Sequence, residues 1–242
     1  MRCDVLGVAV DNLTLSEAVG QARTFLAGDR TCTVVTPNAE IVYLAHRDPA
    51  VREALNAADL ILPDGIGVLK AARMLGCPIY ERVAGIDFAQ ALLPWLAQDG
   101  IPVFFFGGGP GVAEEAARRM TAIHPGLTVR GIQDGYFPAG AEGGIAADIR
   151  AAGARVVFIC LGAPKQELFM QAYGARTGAR LLIGLGGSFD VWAGRVKRAP
   201  RTFIKFGLEW LYRILRQPKR ILRAVRLPAF LWAVRRAASS RK

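Results

Sequence analysis

The sequence predicts a doubly wound, mostly parallel α/β sheet with helices on both faces, followed by a basic helical appendage. Three observations carry the prediction. Short apolar, β-branched or aromatic runs alternate with helical stretches along the first 194 residues. The runs at 103–106, 156–161 and 181–185 are apolar throughout, as parallel strands covered on both faces require. After about residue 195 strand signals stop and basic residues crowd in.

Taken in order, strands are expected at Asp4–Val10, Cys32–Thr36, Leu60–Leu62, Val103–Phe106, Thr128–Gly131, Val156–Leu161 and Leu181–Leu185. Helical patterns lie between them at 14–27, 39–47, 49–57, 66–75, 86–98, 110–123, 142–152 and 165–177. Thr14 and Glu17 have the capping-box spacing that starts the first helix. Beyond 195, two or three short helices are expected, punctuated by Pro200, Pro218 and Pro228. The division expected is a catalytic α/β domain over 1–194 and an appendage over 195–242.

The chain has 242 residues, 52% of them apolar and 21% charged, which describes a globular protein with a sizeable core. Its net charge of +11 is unevenly placed. Residues 195–242 carry fifteen Lys/Arg against one acid, Glu209, while residues 1–194 carry a small net negative charge. Such a tail seeks something anionic: nucleic acid, an anionic membrane face or a diphosphate. The four cysteines form no CxxC pair, so reduced thiols are expected rather than a zinc site or a disulfide framework. Asp4 and Asp11 break the apolar run a signal peptide needs, and no apolar run is long enough to span a bilayer. A cytoplasmic protein is expected, lying on the inner membrane surface if it meets a membrane.

If the sheet is parallel, the turns after its strands gather on one edge and make a single cleft. These turns hold the unusual residues: Thr36-Pro37-Asn38, Pro63-Asp64-Gly65, Gly107-Gly108-Gly109-Pro110-Gly111, Gly162-Ala163-Pro164-Lys165-Gln166 and Gly186-Gly187-Ser188-Phe189-Asp190. Amides of Gly107, Gly108 and Gly109 at a helix start could cradle a phosphate. The turn fails the dinucleotide fingerprint, because position 112 is Val, which disfavours a nicotinamide-dependent oxidoreductase. Asp64 could act as a general base or cap the helix that follows; on spacing alone the cap is the stronger reading. Thr36 and Asn38 are open to the same doubt as turn-formers. Arg82 could bind phosphate or pair with an acid, and Gln166 and Asp190 could bind substrate or cap helices. His46 and His124 have no metal-ligand partners, and no Asp-x-Asp occurs, so neither a metal nor another cofactor is expected.

The tail places Lys219, Arg220 and Arg223 on one face of a helix and Ile221, Leu222 and Val225 on the other, with Trp210 and other aromatics nearby. That pattern suits an interfacial membrane helix. A helix pair docked on the sheet with a solvated basic face is the plainer alternative. Nucleic acid ranks lowest, since no recognition motif accompanies the charge.

Six ordered blocks and the tail resemble the WecG/TagA/CpsF glycosyltransferase family. The blocks are 36–42, 62–67, 81–87, 162–167, 186–194 and 197–200, followed by Leu208-Glu209-Trp210-Leu211-Tyr212-Arg213. The resemblance implies inverting, metal-independent transfer of a sugar from a UDP-sugar to a polyprenyl-diphosphate-linked sugar in cell-surface glycan synthesis. The donor sugar is of N-acetylmannosamine type, its uronic acid, or glucose type. It implies Asp64 as the base, and Thr36, Asn38, Arg82, Gln166 and Asp190 as pocket residues. It also implies an appendage that binds an anionic membrane surface and completes the active site with arginines, which map to Arg213, Arg220 and Arg223. A body that folds without residues 196–242 is expected.

Overall fold

The structure is a computed structural model and describes residues 2–200, 202–203, 212 and 226–239. Its strands are β1 (Arg2–Val5), β2 (Val8–Asp11), β3 (Cys32–Val35), β4 (Leu60–Ile61), β5 (Val103–Gly107), β6 (Val129–Gln133), β7 (Val156–Cys160) and β8 (Leu181–Gly184). The helices are α1 (Leu15–Ala27), α2 (Ala39–Arg47), α3 (Pro49–Asn56), α4 (Ile66–Met74), α5 (Gly85–Gln98) and α6 (Val112–Ile123). They continue with α7 (Glu142–Ala151), α8 (Lys165–Tyr173), α9 (Ser188–Trp192) and α10 (Arg226–Ser239).

Six strands form one parallel sheet in the order β4-β3-β8-β7-β5-β6. Alternation along the strands sends side chains to opposite faces. Phe104 and Phe106 enter one core with α2, α3, α4, α7, α8 and α10. Phe105 enters the other with α1, α5, α6 and α9. This is the doubly wound three-layer arrangement the sequence predicts. The uniformly apolar strands β5, β7 and β8 are buried at every position, whereas edge strand β6 is not.

The chain departs from β5 toward β6 on one side and from β7 toward β8 on the other. The adjacent carboxyl ends of β5 and β7 are therefore a point where strand order reverses, the usual place for a ligand crevice.

The N-terminal segment differs from expectation. Asp4–Val10 is not one strand but lies in a hairpin, β1 paired antiparallel with β2 and separate from the main sheet. Leu6 and Gly7 take positive φ of 55° and 89°, as both central residues of a tight primed turn do. The pattern carries the reason: Cys3 and Val5 are buried before the turn, Val8 and Val10 after it. The apolar positions pass from odd to even across Leu6-Gly7.

This hairpin braces the sheet edge. Asp11 Oδ2 accepts the Ile61 amide of β4 at 2.8 Å, and Arg2 donates to the Asp59 carbonyl at 2.8 Å.

In the tail, α10 is docked on α2 and α4, with Phe230 and Val234 fully buried. Pro228 lies within α10, and the segment before Arg226, where the sequence puts the preceding helix, lies outside the described residues. Removing 196–242 would uncover the apolar faces of α2 and α4. Arg213, Arg220 and Arg223 lie outside the described residues. Among the described residues no helix is long and apolar enough to cross a membrane.

Candidate active site

The parallel ladder between β3 and β4 continues past the strand ends and builds the site. Leu62 N donates to Val35 O at 2.9 Å, Asp64 N to Pro37 O at 3.1 Å and Val83 N to Pro63 O at 3.0 Å. The segments Thr36–Asn38, Pro63–Gly65 and Arg82–Gly85 thus lie side by side. Asp64 stands half-buried in the middle segment.

Helix α4 begins at Gly65, whose φ of 90° suits glycine, and no side-chain hydrogen bond caps it. The cap that spacing favoured for Asp64 is not made. Asp64 follows the end of β4 and lies beside the Thr36–Asn38 turn.

Thr36, 8% exposed, donates its hydroxyl to the Gly184 carbonyl at 3.0 Å, joining the ends of β3 and β8. A Cβ on Gly85 would come within 2.7 Å of Thr36 Oγ1, so the first residue of α5 must lack a side chain. Asn38 is the N-cap of α2, its Oδ1 accepting the Ile41 amide at 3.1 Å. Both residues hold local structure at the rim of the site.

Gln166 is 2% exposed and neither caps α8 nor reaches bulk water. Its Oε1 accepts the Gly186 amide at 3.0 Å, and its Nε2 donates to Glu167 Oε1 at 2.9 Å. A Cβ on Gly184 would lie 2.8 Å from Gln166 Nε2, so glycine there makes room for this amide. Glu167, 1% exposed, has an Oε2 with no partner among the described residues. Burial raises its carboxyl above the ordinary range.

Asp190 lies within the first turn of α9, whose N-cap is Gly187 with no side-chain bond, so it is not the cap spacing suggested. It stands close enough to Cys160 to disfavour the thiolate there, adding to burial, which drives that thiol far up and makes it no nucleophile.

The glycine turn after β5 is tightly committed. Gly107, at φ 121°, packs so closely on β7 that a Cβ would lie 2.4 Å from the Cys160 carbonyl. Gly108 donates its amide to Cys160 O at 2.9 Å, Val112 donates its own to Gly109 O at 2.9 Å, and Pro110 has no amide to give. Three of the five residues from 108 to 112 therefore have no N–H left for a ligand. Of the three amides expected to cradle a phosphate, at Gly107, Gly108 and Gly109, that of Gly108 is taken up by Cys160.

Cations gather instead around the start of α5. Asp87, in its first turn, pairs with Arg82 at 3.5 Å through one oxygen and with Arg198 at 2.5 Å through the other. Arg82 and Asp87 occur in one sequence block, but Arg198 comes from 111 residues away. No local spacing could reveal that meeting, nor the Gln166–Glu167 contact with the turn after β8.

Among the described residues no group of three or more His, Cys, Asp or Glu side chains is placed to hold a metal ion.

Fold and site together describe a doubly wound α/β protein whose strand-end turns gather polar residues, Asp64 among them, along the carboxyl edge of its sheet. Residues 3–242 match the model of the glycosyl transferase WecG/TagA/CpsF family. The chain is also 40% identical over 211 residues to an N-acetylglucosaminyldiphosphoundecaprenol N-acetyl-beta-D-mannosaminyltransferase of Bacillus spizizenii, covering 87% of this chain and 81% of that one. The chain belongs to the WecG/TagA/CpsF family and is a glycosyltransferase, which sets aside the oxidoreductase reading.

Proposed function

We propose that the chain moves an N-acetylmannosamine-type sugar from a UDP-sugar to N-acetylglucosamine carried on a polyprenyl diphosphate. Transfer proceeds with inversion and without a metal ion, at the cytoplasmic face of the membrane, in cell-envelope polysaccharide synthesis. The supporting observation is the position of Asp64, laced between Thr36–Asn38 and Arg82–Gly85, in a chain 40% identical to a transferase named for that acceptor and sugar. No nucleic acid has a part in this reading.

In this mechanism Asp64 takes the proton of the acceptor hydroxyl as its oxygen attacks the anomeric carbon from the face opposite UDP. The bond from that carbon to the diphosphate oxygen breaks, and its electron pair leaves with UDP. A single displacement needs one carboxylate, unlike the pair that a glycosidase uses. Charge developing on the diphosphate must be met by fixed dipoles and cations. Arg82 and the first amides of α5 are at hand, and Arg213, Arg220 and Arg223 remain assigned by resemblance. Four strand spacings separate β4 from β5, a cleft edge of about 19 Å. That length suits an extended nucleotide-sugar lying across the sheet. On α10, Trp232 is 63% exposed with Arg235 and Arg236 beside it, a face suited to an anionic interface.

The test is a panel of UDP-sugars with a short-chain polyprenyl-diphosphate N-acetylglucosamine as acceptor. Transfer from UDP-N-acetylmannosamine is expected, and Asp64→Asn should lower turnover by about 10²–10⁴-fold. Near-normal turnover in a folded Asp64→Asn protein would remove the base assignment. Transfer only from another sugar would overturn the donor.

A further inference from the structure

We propose that Arg198 is a substrate-binding cation of this site, set beside Arg82 by their shared partner Asp87, and that the two guanidiniums receive a diphosphate. The proposal rests on the transferase reading above and adds a residue to it.

Three features converge at the start of α5. First, one carboxylate serves two guanidiniums, Asp87 Oδ2 to Arg82 and Asp87 Oδ1 to Arg198, so among these three described side chains two positive charges share one negative. Second, helix α5 starts at Ala84 with no side-chain cap, so its positive end adds to that charge. Third, Arg198 Nε is buried with no acceptor among the described residues. A buried donor without a partner is costly, and an anion's oxygen would satisfy it.

The cluster also lies in the right place. Val83 joins Pro63 through its amide, so Arg82 neighbours Asp64 across one ladder step, and Gly85 lies against Thr36. The side chains of Arg82, Asp87 and Arg198 are 19%, 29% and 29% exposed, neither sealed in the core nor spread into solvent. A partly exposed ion pair does little for stability, so the bridges alone give poor reason for the arrangement. Guanidinium forks match phosphate oxygens two at a time. The glycine turn after β5 has its Gly108 and Val112 amides committed and no N–H at Pro110, so a second source of donors in the site is of use.

Two diphosphates meet in the reaction, that of the nucleotide and that of the lipid-linked acceptor. Titrations of wild type, Arg198→Gln and Arg198→Lys distinguish them, using UDP, a short-chain prenyl-diphosphate N-acetylglucosamine, and uridine as the ligand lacking phosphate. Arg198→Gln should weaken one diphosphate ligand by about tenfold to a hundredfold. Uridine affinity should hold, and Arg198→Lys should recover part of the loss. The affected arm names the diphosphate. Asp87→Asn should weaken the same arm, with KM for that substrate rising more than kcat falls. Unchanged affinity in both arms overturns the proposal. So does a parallel loss of uridine binding, which would make Arg198 structural. If wild type binds neither diphosphate ligand, the transferase reading fails and takes this one with it; wild-type binding with an indifferent variant sinks this inference alone.

Discussion

The hydroxyl of Thr36 donates to the carbonyl of Gly184 at 3.0 Å, tying the end of β3 to the end of β8 directly under the candidate site. Valine is close to threonine in shape but cannot make this bond. Thr36→Val should leave a buried carbonyl unsatisfied and lower stability by about 1–3 kcal/mol in urea unfolding, while Thr36→Ser should recover most of it. Equal stability of Thr36→Val and wild type would show that the tie is dispensable.

Two glycines in neighbouring turns should respond very differently to one added methyl group. At Gly107 a Cβ meets the Cys160 backbone at 2.4 Å and φ is 121°; at Gly162 φ is 75° and a Cβ meets nothing. Gly107→Ala combines strain with overpacking and should cost about 3 kcal/mol or more. Gly162→Ala should cost about 1–2 kcal/mol, the left-handed penalty alone. Urea unfolding of the pair checks the ordering, which equal midpoints would refute.

Glu167 should make stability fall as pH rises. Burial holds its folded-state affinity for a proton above that of the unfolded chain, whose ordinary value is 4.5. Below that value both states are protonated and the group costs nothing. Above it, the folded protein binds more proton than the unfolded one, so stability is lost until the pH passes the raised folded value, and the penalty then stays. Glu167→Gln keeps an oxygen for the Gln166 amide and has no charge to bury. Its melting temperature should gain on wild type as the pH rises above 4.5; parallel profiles would disprove the linkage.

Helix α10 offers a cleaner probe of membrane attachment than removal of the whole tail, because its inner face is part of the core. Changing Trp232→Ser, Arg235→Gln and Arg236→Gln alters only its exposed side. Each basic residue near an anionic surface contributes about 1 kcal/mol, so vesicle affinity should fall by at least about tenfold while the unfolding curve hardly moves. Phe230→Ala, at a fully buried position, should do the reverse and cost about 3–5 kcal/mol. Vesicle binding indifferent to the triple change would take α10 out of the attachment surface.

The sheet was legible wherever one physical signal dominated. Strands β5, β7 and β8 are apolar at every position because helices cover both faces, and their sequences say so. Asp64 was placed at a strand end by the proline and glycine around it. What escaped were arrangements set by backbone turns or by distant chain segments. The Leu6-Gly7 turn hid inside a run that looked like one strand. Short α9 hid in the run Ser188–Trp192, which follows two glycines. Asn38 and Asp64 each had a structural and a functional reading from spacing, and Asn38 caps α2 whereas no side chain caps α4. The amides committed around Gly108, and the meeting of Asp87 with Arg198, depend on which strands adjoin, and no spacing along the chain encodes that.

The N-terminal hairpin bears on how these molecules behave in company. Strand β4, which leads into Asp64, is the outermost of the sheet, and an open outer strand is a template on which another chain can add itself. Asp11 occupies the Ile61 amide and Arg2 the Asp59 carbonyl, so side chains take the place of a neighbouring strand. Residues 2–11 thus act as a guard against self-association along the very strand that leads into Asp64.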